Sequence, residues 1–328
     1  MNKLTKIGVS ALAGSLALTA ANALEMSVSG SAGGAMYNAD ESNKKGGFYQ
    51  FDSVVFSASG ETDGGITVSA SMELDNDNPA STDGMDNRSF SFGSDSMGTV
   101  TFSGHGGVGV MGAWDDITPN AYEEVWDGTS GADERIDGRS GNNLLAYTSP
   151  SFSGLVIKAA YQRAAADTGT STENGYDLSS YHDMGIQYSP EMVDGLTVGY
   201  AEGTLDNAAT TENTHSTVFV KYVTGGLTVA YQEHEAEGSA ASKNDESTTI
   251  GISYAVSDNM TVSYGQREYD DNTSDSTATS QEQEDSGFAV SYTSGGMTIA
   301  GHMNESDNVS GVATADKDSY EIALSFAF

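Results

Sequence analysis

The amino-acid sequence predicts an all-β protein, a 16-stranded antiparallel transmembrane β-barrel with an inward-folded long third extracellular loop. Three observations predict this fold: apolar residues recur at every second position, short and long connections alternate, and no helical periodicity of comparable length occurs. In hydrocarbon every backbone polar group needs a partner, so a spanning sheet must close on itself, and antiparallel closure favours an even strand number. A soluble sandwich or propeller would not sort its connections by length, and a Ca²⁺-dependent β-roll needs a nonapeptide repeat that the sequence lacks.

Residues 1–23 have the form of a secretory signal peptide. Lys3 and Lys6 supply positive charge, an apolar run extends from Ile7 to Ala20, and Ala21-Asn22-Ala23 has the small-x-small pattern of a cleavage site. We therefore predict an exported protein in which residues 24–328 form one barrel domain.

The composition excludes several classes of protein. The 328 residues include 47 acidic and 13 basic side chains, a formal net charge of -34, which disfavours binding to phosphate backbones and predicts no nucleic-acid partner. Beyond the N-terminus no apolar run is long enough for a membrane-spanning helix. The absence of cysteine excludes disulfides, thiolate nucleophiles and Cys-ligated metal sites.

The histidines and hydroxyls do not form a recognisable catalytic pattern. The five histidines are scattered singly, and none forms a zinc-protease motif with a second His four residues away. A Ser beside a His, as at His215-Ser216, is background in so serine-rich a chain. We predict that the protein is not an enzyme and has no cofactor. Paired carboxylates such as Asp115-Asp116 or Asp270-Asp271 could still bind Ca²⁺ in the loops, and no metal ligand is assigned.

The C-terminal segment shows the strand alternation most clearly. Tyr320, Ile322, Leu324, Phe326 and Phe328 alternate with small or polar residues, as in a strand with one face toward lipid. Similar alternation recurs in segments near residues 196–200, 218–222, 227–231, 250–256, 260–264 and 288–292. A barrel also requires the N-terminal segment Glu25 to Tyr37 to pair with Ser319 to Phe328, because an unpaired edge is not tolerated in lipid.

Two kinds of connection separate the predicted strands. Seven are short and rich in turn residues, at 62–65, 94–97, 149–154, 189–195, 224–226, 257–259 and 294–296. Eight are long and acidic, at 38–46, 76–85, 105–141, 166–180, 206–214, 235–246, 270–286 and 305–317. Together they join 16 strands with both termini on the short-turn side. Five tyrosines precede short turns by about two residues, where an interfacial aromatic girdle belongs: Tyr147, Tyr188, Tyr222, Tyr254 and Tyr292.

The connection at about 105–141 is the longest and contains both tryptophans, Trp114 and Trp126. Since a loop in water has little use for such side chains, we predict that it packs against the barrel interior and constricts it. The loop carries eight carboxylates: Asp115, Asp116, Glu123, Glu124, Asp127, Asp133, Glu134 and Asp137. By strand alternation, Lys158, Lys221 and Arg267 face inward, and Arg139 flanks the returning end of the loop. These are the predicted pore-wall bases, whereas the orientation of Arg88 is ambiguous.

Three features make the sequence recognisable. Residues 143–155, with Asn143, Leu145, Tyr147, Ser149-Pro150 and Gly154-Leu155, resemble the strand–turn–strand signature after the constriction loop of general diffusion porins, in the alphaproteobacterial branch. Residues 98–104 are similar to the family's fifth strand. The terminal Phe328 is similar to the signal read by the outer-membrane assembly machinery. Ala146 departs from the pattern, since relatives often carry an Arg there, which weakens the expected positive wall.

The resemblance implies a homotrimer of water-filled barrels in the outer membrane, with lipid, lipopolysaccharide and the assembly machinery as partners. On that basis we predict passive diffusion of ions and small hydrophilic solutes, with a preference for cations because of the net charge. A substrate-selective channel, or a structural or adhesive surface barrel, remains the alternative. The small residues Gly30, Ala32 and Gly34, with Met36, share one face of the first strand, which is a candidate for subunit contact unless that face points into the lumen.

Overall fold

The computed structural model describes residues 24–39, 46–75, 87–127, 140–141, 143–163, 179–207, 211–237, 245–271 and 281–328. Its strands are β1 Glu25–Ala39, β2 Gly47–Glu61, β3 Thr67–Asp75, β4 Arg88–Ser94, β5 Gly98–His105, β6 Gly107–Val108, β7 Ser140–Gly141, β8 Leu144–Thr148, β9 Leu155–Gln162, β10 Ser179–Tyr188, β11 Leu196–Asn207, β12 Thr211–Thr224, β13 Leu227–Glu237, β14 Asp245–Ser257, β15 Met260–Asp271, β16 Gln283–Ser294, β17 Met297–Asp307 and β18 Lys317–Ala327. Short 3₁₀ helices lie at Gly112–Trp114 and Val309–Gly311.

Sixteen of these strands form one closed antiparallel barrel, and β6 and β7 pair separately as a small two-stranded sheet. Closure joins β1 to β18, from Ser31 opposite Ala327 to Ala39 opposite Ser319. Backbone hydrogen bonds between Gly30 and Phe328, of 2.8 and 2.9 Å, continue this seam to the C-terminus. The predicted fold, strand number and pairing of the terminal segments are confirmed.

Alternation separates an apolar outer face from a polar lumen, as a half-buried strand requires. On β18 the outward Leu324 and Phe326 are 39% and 48% exposed, whereas the inward Glu321 and Ala323 are 7% and 4% exposed. The five predicted girdle tyrosines are all exposed on the outer face near the short turns. Among the described residues no helix is long and apolar enough to cross a membrane.

All seven predicted short turns lie between paired neighbouring strands. The predicted long connection at 206–214 differs: β11 continues to Asn207, β12 begins at Thr211, and the two pair up to Asn207 opposite Thr211. Only three residues therefore separate them. Polar threonines and asparagines continue the hydrogen-bonded ladder here, so polarity was a misleading sign of a loop.

Candidate functional site: the loop inside the barrel

The segment that follows β5 folds into the barrel as far as Asp127, the last residue described before a gap. Its first half forms a small apolar cluster with the wall, in which Met111 and Trp114 are 0% and 2% exposed. The Trp114 ring meets Phe219 of β12 edge-on at 5.1 Å between centroids. The prediction that both tryptophans pack against the barrel interior is confirmed, since Trp126 is also buried.

Two inward polar side chains hold the backbone of this first half. Asp183 of β10 accepts a hydrogen bond from the Met111 N–H at 3.0 Å. Gln232 of β13 accepts from the Ile117 N–H at 2.8 Å and donates to the Trp114 carbonyl at 2.5 Å. Because these bonds satisfy backbone groups that the loop would otherwise bury unpaired, they fix its path along the wall.

The second half of the segment is held by β17 and β18. The Asn304 amide donates to the carbonyl oxygens of Glu124 and Asp127 at 2.9 and 3.1 Å. The Ser319 hydroxyl donates to the same Asp127 carbonyl at 2.9 Å. The loop is thus attached to the wall from β10 round to β18.

Inward glycines let the loop approach the wall closely. A Cβ atom at Gly251 would lie 2.8 Å from Thr118 Cβ and 2.9 Å from Pro119 Cδ. One at Gly185 would lie 2.6 Å from Val110 Cγ1 and 2.8 Å from Trp114 Cζ3. The small residues that interrupt the strands at these positions therefore act as docking positions for the loop.

Five of the eight predicted loop carboxylates lie in the described segment, and Asp133, Glu134 and Asp137 fall outside it. Asp116 closes a local turn: it accepts from the Thr118 N–H at 2.7 Å and from the Asn120 amide at 2.7 Å. Partial burial raises the pKa of both Asp115 and Asp116, and in Asp116 the bonds from Thr118 oppose that shift.

Asp127 is the most perturbed acid of the loop. Burial, followed by a side-chain hydrogen bond with Glu124 and the charges of Glu124 and Glu123, raises the pKa of Asp127 to about 8. Two carboxyl groups that share a hydrogen bond need a proton between them. The negative charge of this end of the loop therefore depends on pH near neutrality.

The predicted bases do not form a positive wall opposite the loop. Arg267 forms a buried ion pair with Asp285 at 2.8 Å and lies 4.2 Å from the centre of the Trp126 ring. Lys158 lies over Trp114, its Nζ 5.4 Å from the ring centre. Lys221 is inward, three residues before the turn that ends β12. Arg139 falls outside the described residues.

Rows of hydroxyl groups line much of the inner wall of β1–β5, beside an aromatic cluster of Tyr37, Tyr49 and Phe51 on β1 and β2. One cross-strand row consists of Ser27, Ser57, Ser71, Ser89 and Ser103, and the next of Ser59, Ser69, Ser91 and Thr101. Ser69 and Ser91 are hydrogen-bonded at 2.6 Å. Within the described part of these five strands no lysine or arginine occupies an inward position, because Arg88 pairs with the outward Met72. Ala146 is inward and packs beside Leu144, Ala160 and Tyr181.

Several residues that hold the loop were not singled out from the sequence. Asp183, Gln232, Asn304 and Glu321 all occupy inward strand positions where most neighbours are small. Strand alternation alone predicts that these four side chains point inward, where they stand out among Ser, Gly and Ala. Which of them meet the loop depends on strand register and loop path, and neither follows from one sequence.

The comparisons with known proteins agree with this geometry. A family model described as Gram-negative porin matches residues 8–282. The chain belongs to the Gram-negative porins. The porin is therefore a β-barrel of the outer membrane, as the resemblance in the sequence suggested. Among curated proteins none matches its sequence.

Solved structures share the fold at low sequence identity. An anion-selective porin from Comamonas acidovorans superposes with a TM-score of 0.70 at 13% identity, covering 93% of this chain and 100% of its own. OmpT, an outer membrane protein of Vibrio cholerae, gives 0.69 at 12%, covering 95% and 100%. A mutant of Rh. blastica porin gives 0.64 at 14%, covering 92% and 100%. At such identities the likeness concerns the fold alone.

The possible Ca²⁺ site stays a prediction. In the described ranges no group of three or more His, Asp or Glu side chains could hold a metal ion. Much of the acidic connections, including 76–86, 128–139 and 272–280, lies outside those ranges.

Proposed function

We propose that the porin forms a water-filled pore for passive diffusion of ions and small hydrophilic solutes and acts as a channel rather than an enzyme. The observation that carries the proposal is the loop attached along the inside of a closed barrel, where it narrows the lumen. The inner face of β2–β4 presents serine hydroxyls, which suit hydrated solutes of many shapes. Tyr37, Tyr49 and Phe51 cluster on the inner face of β1 and β2, whereas no aromatic ladder, as a selective sugar channel would use, continues along the described inner face of β3–β5.

We further propose that the pore prefers cations. Five carboxylates lie on the described part of the loop, and Glu73 adds another at an inward position of β3, where it accepts a bond from Ser53 at 2.5 Å. Arg267 is compensated by Asp285. The fold does not determine whether cations or anions are preferred, since a porin of the same fold is named anion-selective. The ion preference depends on which charged side chains line the lumen, and among those described above carboxylates predominate.

We propose a homotrimer, a form in which OmpT of Vibrio cholerae has been solved. Ala32 and Gly34 pair with the outward Phe326 and Leu324, so the small-residue face of β1 points away from the lumen. Beside it on β2, Asp52 pairs with Ala32 and is therefore outward. It accepts a hydrogen bond from the side-chain amide of Gln50 at 3.3 Å. A carboxylate is costly on a lipid-facing surface, and small residues permit close packing, so this face suits a neighbouring subunit.

An apolar groove of about 400 Å³ on the outer side of β2–β5 adjoins this face, with Phe56, Met72, Phe90 and Phe102 among its lining residues. Such a groove can accept the side chains of a second copy. The remaining outer surface would contact outer-membrane lipid and lipopolysaccharide.

Residues 1–23 are proposed to direct export and to be removed after Ala23, and they lie outside the described residues. The proposed assembly signal is Phe328, which follows β18 at the closing seam. Mass spectrometry of the N-terminus of the protein purified from outer membranes tests the cleavage position, and a mature chain beginning at Leu24 is expected.

Swelling of liposomes that contain the porin, measured with sugars of increasing size, tests the pore directly. A diffusion pore gives rates that fall smoothly with solute size. A selective channel would favour one sugar out of order with its size, and a structural or adhesive barrel would give no swelling. Empty liposomes prepared in parallel provide the control.

A further inference from the structure

Three elements of the porin meet at one carboxylate. Tyr122, on the inward loop, donates its hydroxyl to Glu321 Oε1 at 2.6 Å. Tyr49 of β2 donates to the same oxygen at 2.8 Å. Glu321 itself is an inward residue of β18 and is 7% exposed. The loop, the second strand and the last strand are therefore joined through a single side chain.

A second contact lies directly beside this carboxylate. His302 of β17 is the cross-strand neighbour of Glu321. Its ring stacks on Tyr122 at 5.9 Å between centroids, and its Nδ1 lies 3.4 Å from Glu123 Oε2. Tyr122 is thus held at its hydroxyl by β18 and at its ring face by β17.

The contacts around Glu321 lie where the inward loop meets the strands that close the barrel. Asn304 of β17 and Ser319 of β18 hold loop carbonyls. Beside Tyr122, the Ala121 N–H donates to the Ser263 hydroxyl of β15 at 2.8 Å. Tyr122 bonds to Glu321 on β18, and Tyr49 reaches the same carboxylate from β2, across the intervening β1. The loop at Tyr122 is therefore joined to strands on both sides of the β1–β18 seam.

The bonds suit a durable attachment. Two hydroxyl donors share one nearly buried acceptor, and a buried hydroxyl that loses its partner is costly. Burial and the neighbouring carboxylates raise the pKa of the Tyr122 hydroxyl, so it remains a donor throughout the physiological range.

We propose that Glu321 is a positioning residue that holds the loop at Tyr122 and thereby sets the width of the pore. The proposal rests on the proposed pore function. Removing the acceptor leaves two tyrosine hydroxyls without a partner and releases the loop at Tyr122. The loss of the two hydrogen bonds shifts the ratio of docked to released loop by about 30-fold, at roughly five-fold for each bond.

Three variants separate positioning from charge. Glu321→Leu removes the acceptor, whereas Glu321→Gln removes the charge and keeps an oxygen that can accept from both tyrosines. Glu305→Leu removes a glutamate from the outward face of β17 and is the matched control. In planar bilayers we expect Glu321→Leu to show frequent transitions between conductance levels and a larger size limit in liposome swelling. Glu321→Gln and Glu305→Leu should keep the steady conductance of the unmodified protein.

A measurement of the loop itself distinguishes this proposal from the pore function. Because the chain has no cysteine, Ala121→Cys gives a single attachment point for a nitroxide spin label next to Tyr122. The label should become more mobile when combined with Glu321→Leu and remain restricted with Glu321→Gln or Glu305→Leu. Circular dichroism and heat resistance of each variant check that the barrel is intact.

The outcomes are distinct. A mobile label and unsteady conductance in Glu321→Leu alone support the positioning role. Equal label mobility in all variants, with intact barrels, overturns it even if the unmodified protein conducts. Loosening by Glu321→Gln to the same extent as by Glu321→Leu would also overturn it, since charge rather than the bonded oxygen would then hold the loop. An unmodified protein that does not conduct contradicts the pore function, whereas the label still reports on the loop.

Discussion

Single inward side chains determine where the loop of this porin lies. Gln232 is fully buried and bonds to Thr217, to the Trp114 carbonyl and to the Ile117 N–H. Strand alternation predicts that this side chain points inward. Its role depends on a loop that is more than a hundred residues away in sequence, so the sequence alone does not reveal it.

Replacing Gln232 by Leu should loosen the loop at Trp114. The substitution leaves the Ile117 N–H and the Trp114 carbonyl without their partner, at a cost of about 1–3 kcal/mol for a buried unsatisfied group. Urea unfolding of the barrel in lipid vesicles should show this decrease in the free energy of unfolding. Gln266→Leu, on the outward face of β15, is the control and should change it little.

The raised pKa of Asp127 predicts that ion selectivity depends on pH. Its pKa is raised to about 8, so the side chain is mostly neutral below that pH and charged above it. Cation preference should therefore increase as the pH rises through about 8, because the loop gains a negative charge. The support that the shared proton gives to loop docking has the opposite dependence: it is fully present below the unfolded pKa of about 4 and lost as the pH rises through about 8.

Reversal potentials recorded from pH 6 to pH 9 test this step. In Asp127→Asn the step near pH 8 should be absent. A step that persists unchanged in that variant would assign the titration to another group.

At the scale of strands and turns, the sequence was informative about the fold and less so about charge pairing. Alternation and turn residues predicted 16 strands and all seven short turns, because both signals are local. The polar ladder near Asn207 and Thr211 was interpreted as a loop, since polarity does not distinguish a strand that continues beyond the membrane. The partner of Arg267 was also missed, because pairing with Asp285 depends on the register of β15 against β16.

The position of Phe328 beside the closing seam predicts the effect of replacing this residue. Phe328 closes the seam through two backbone bonds to Gly30, and its ring ends the outward apolar row of β18. Phe328→Ala should reduce the amount of porin in the outer membrane while export to the periplasm continues. Immunoblots of separated membrane and periplasmic fractions measure both, and normal outer-membrane levels of the variant would contradict the proposed assembly signal.

At the scale of the whole molecule, the outer surface is asymmetric. The face formed by β1 and β2 exposes Gly30, Ala32, Gly34 and Asp52, whereas much of the remaining outer face carries large apolar side chains. We expect the porin to be trimeric in mild detergent, and Ala32→Trp to weaken the trimer by preventing close approach. Light scattering measures the mass, with Val220→Trp on the outer face of β12, away from β1–β5, for comparison. A monomeric unmodified protein would contradict the trimer.

The reversal potential in a KCl gradient tests most directly whether this porin is a cation-preferring pore. The formal net charge of -34 and the carboxylates of the loop predict a potential of cation sign. The effect should be strongest near 0.01 M salt, where the Debye length is about 30 Å, and weak near 1 M, where it is about 3 Å. Joint neutralisation of Asp115, Asp116, Glu123 and Glu124 should shift the potential toward anions. A zero potential or one of anion sign in the unmodified protein at low salt would contradict the proposed selectivity.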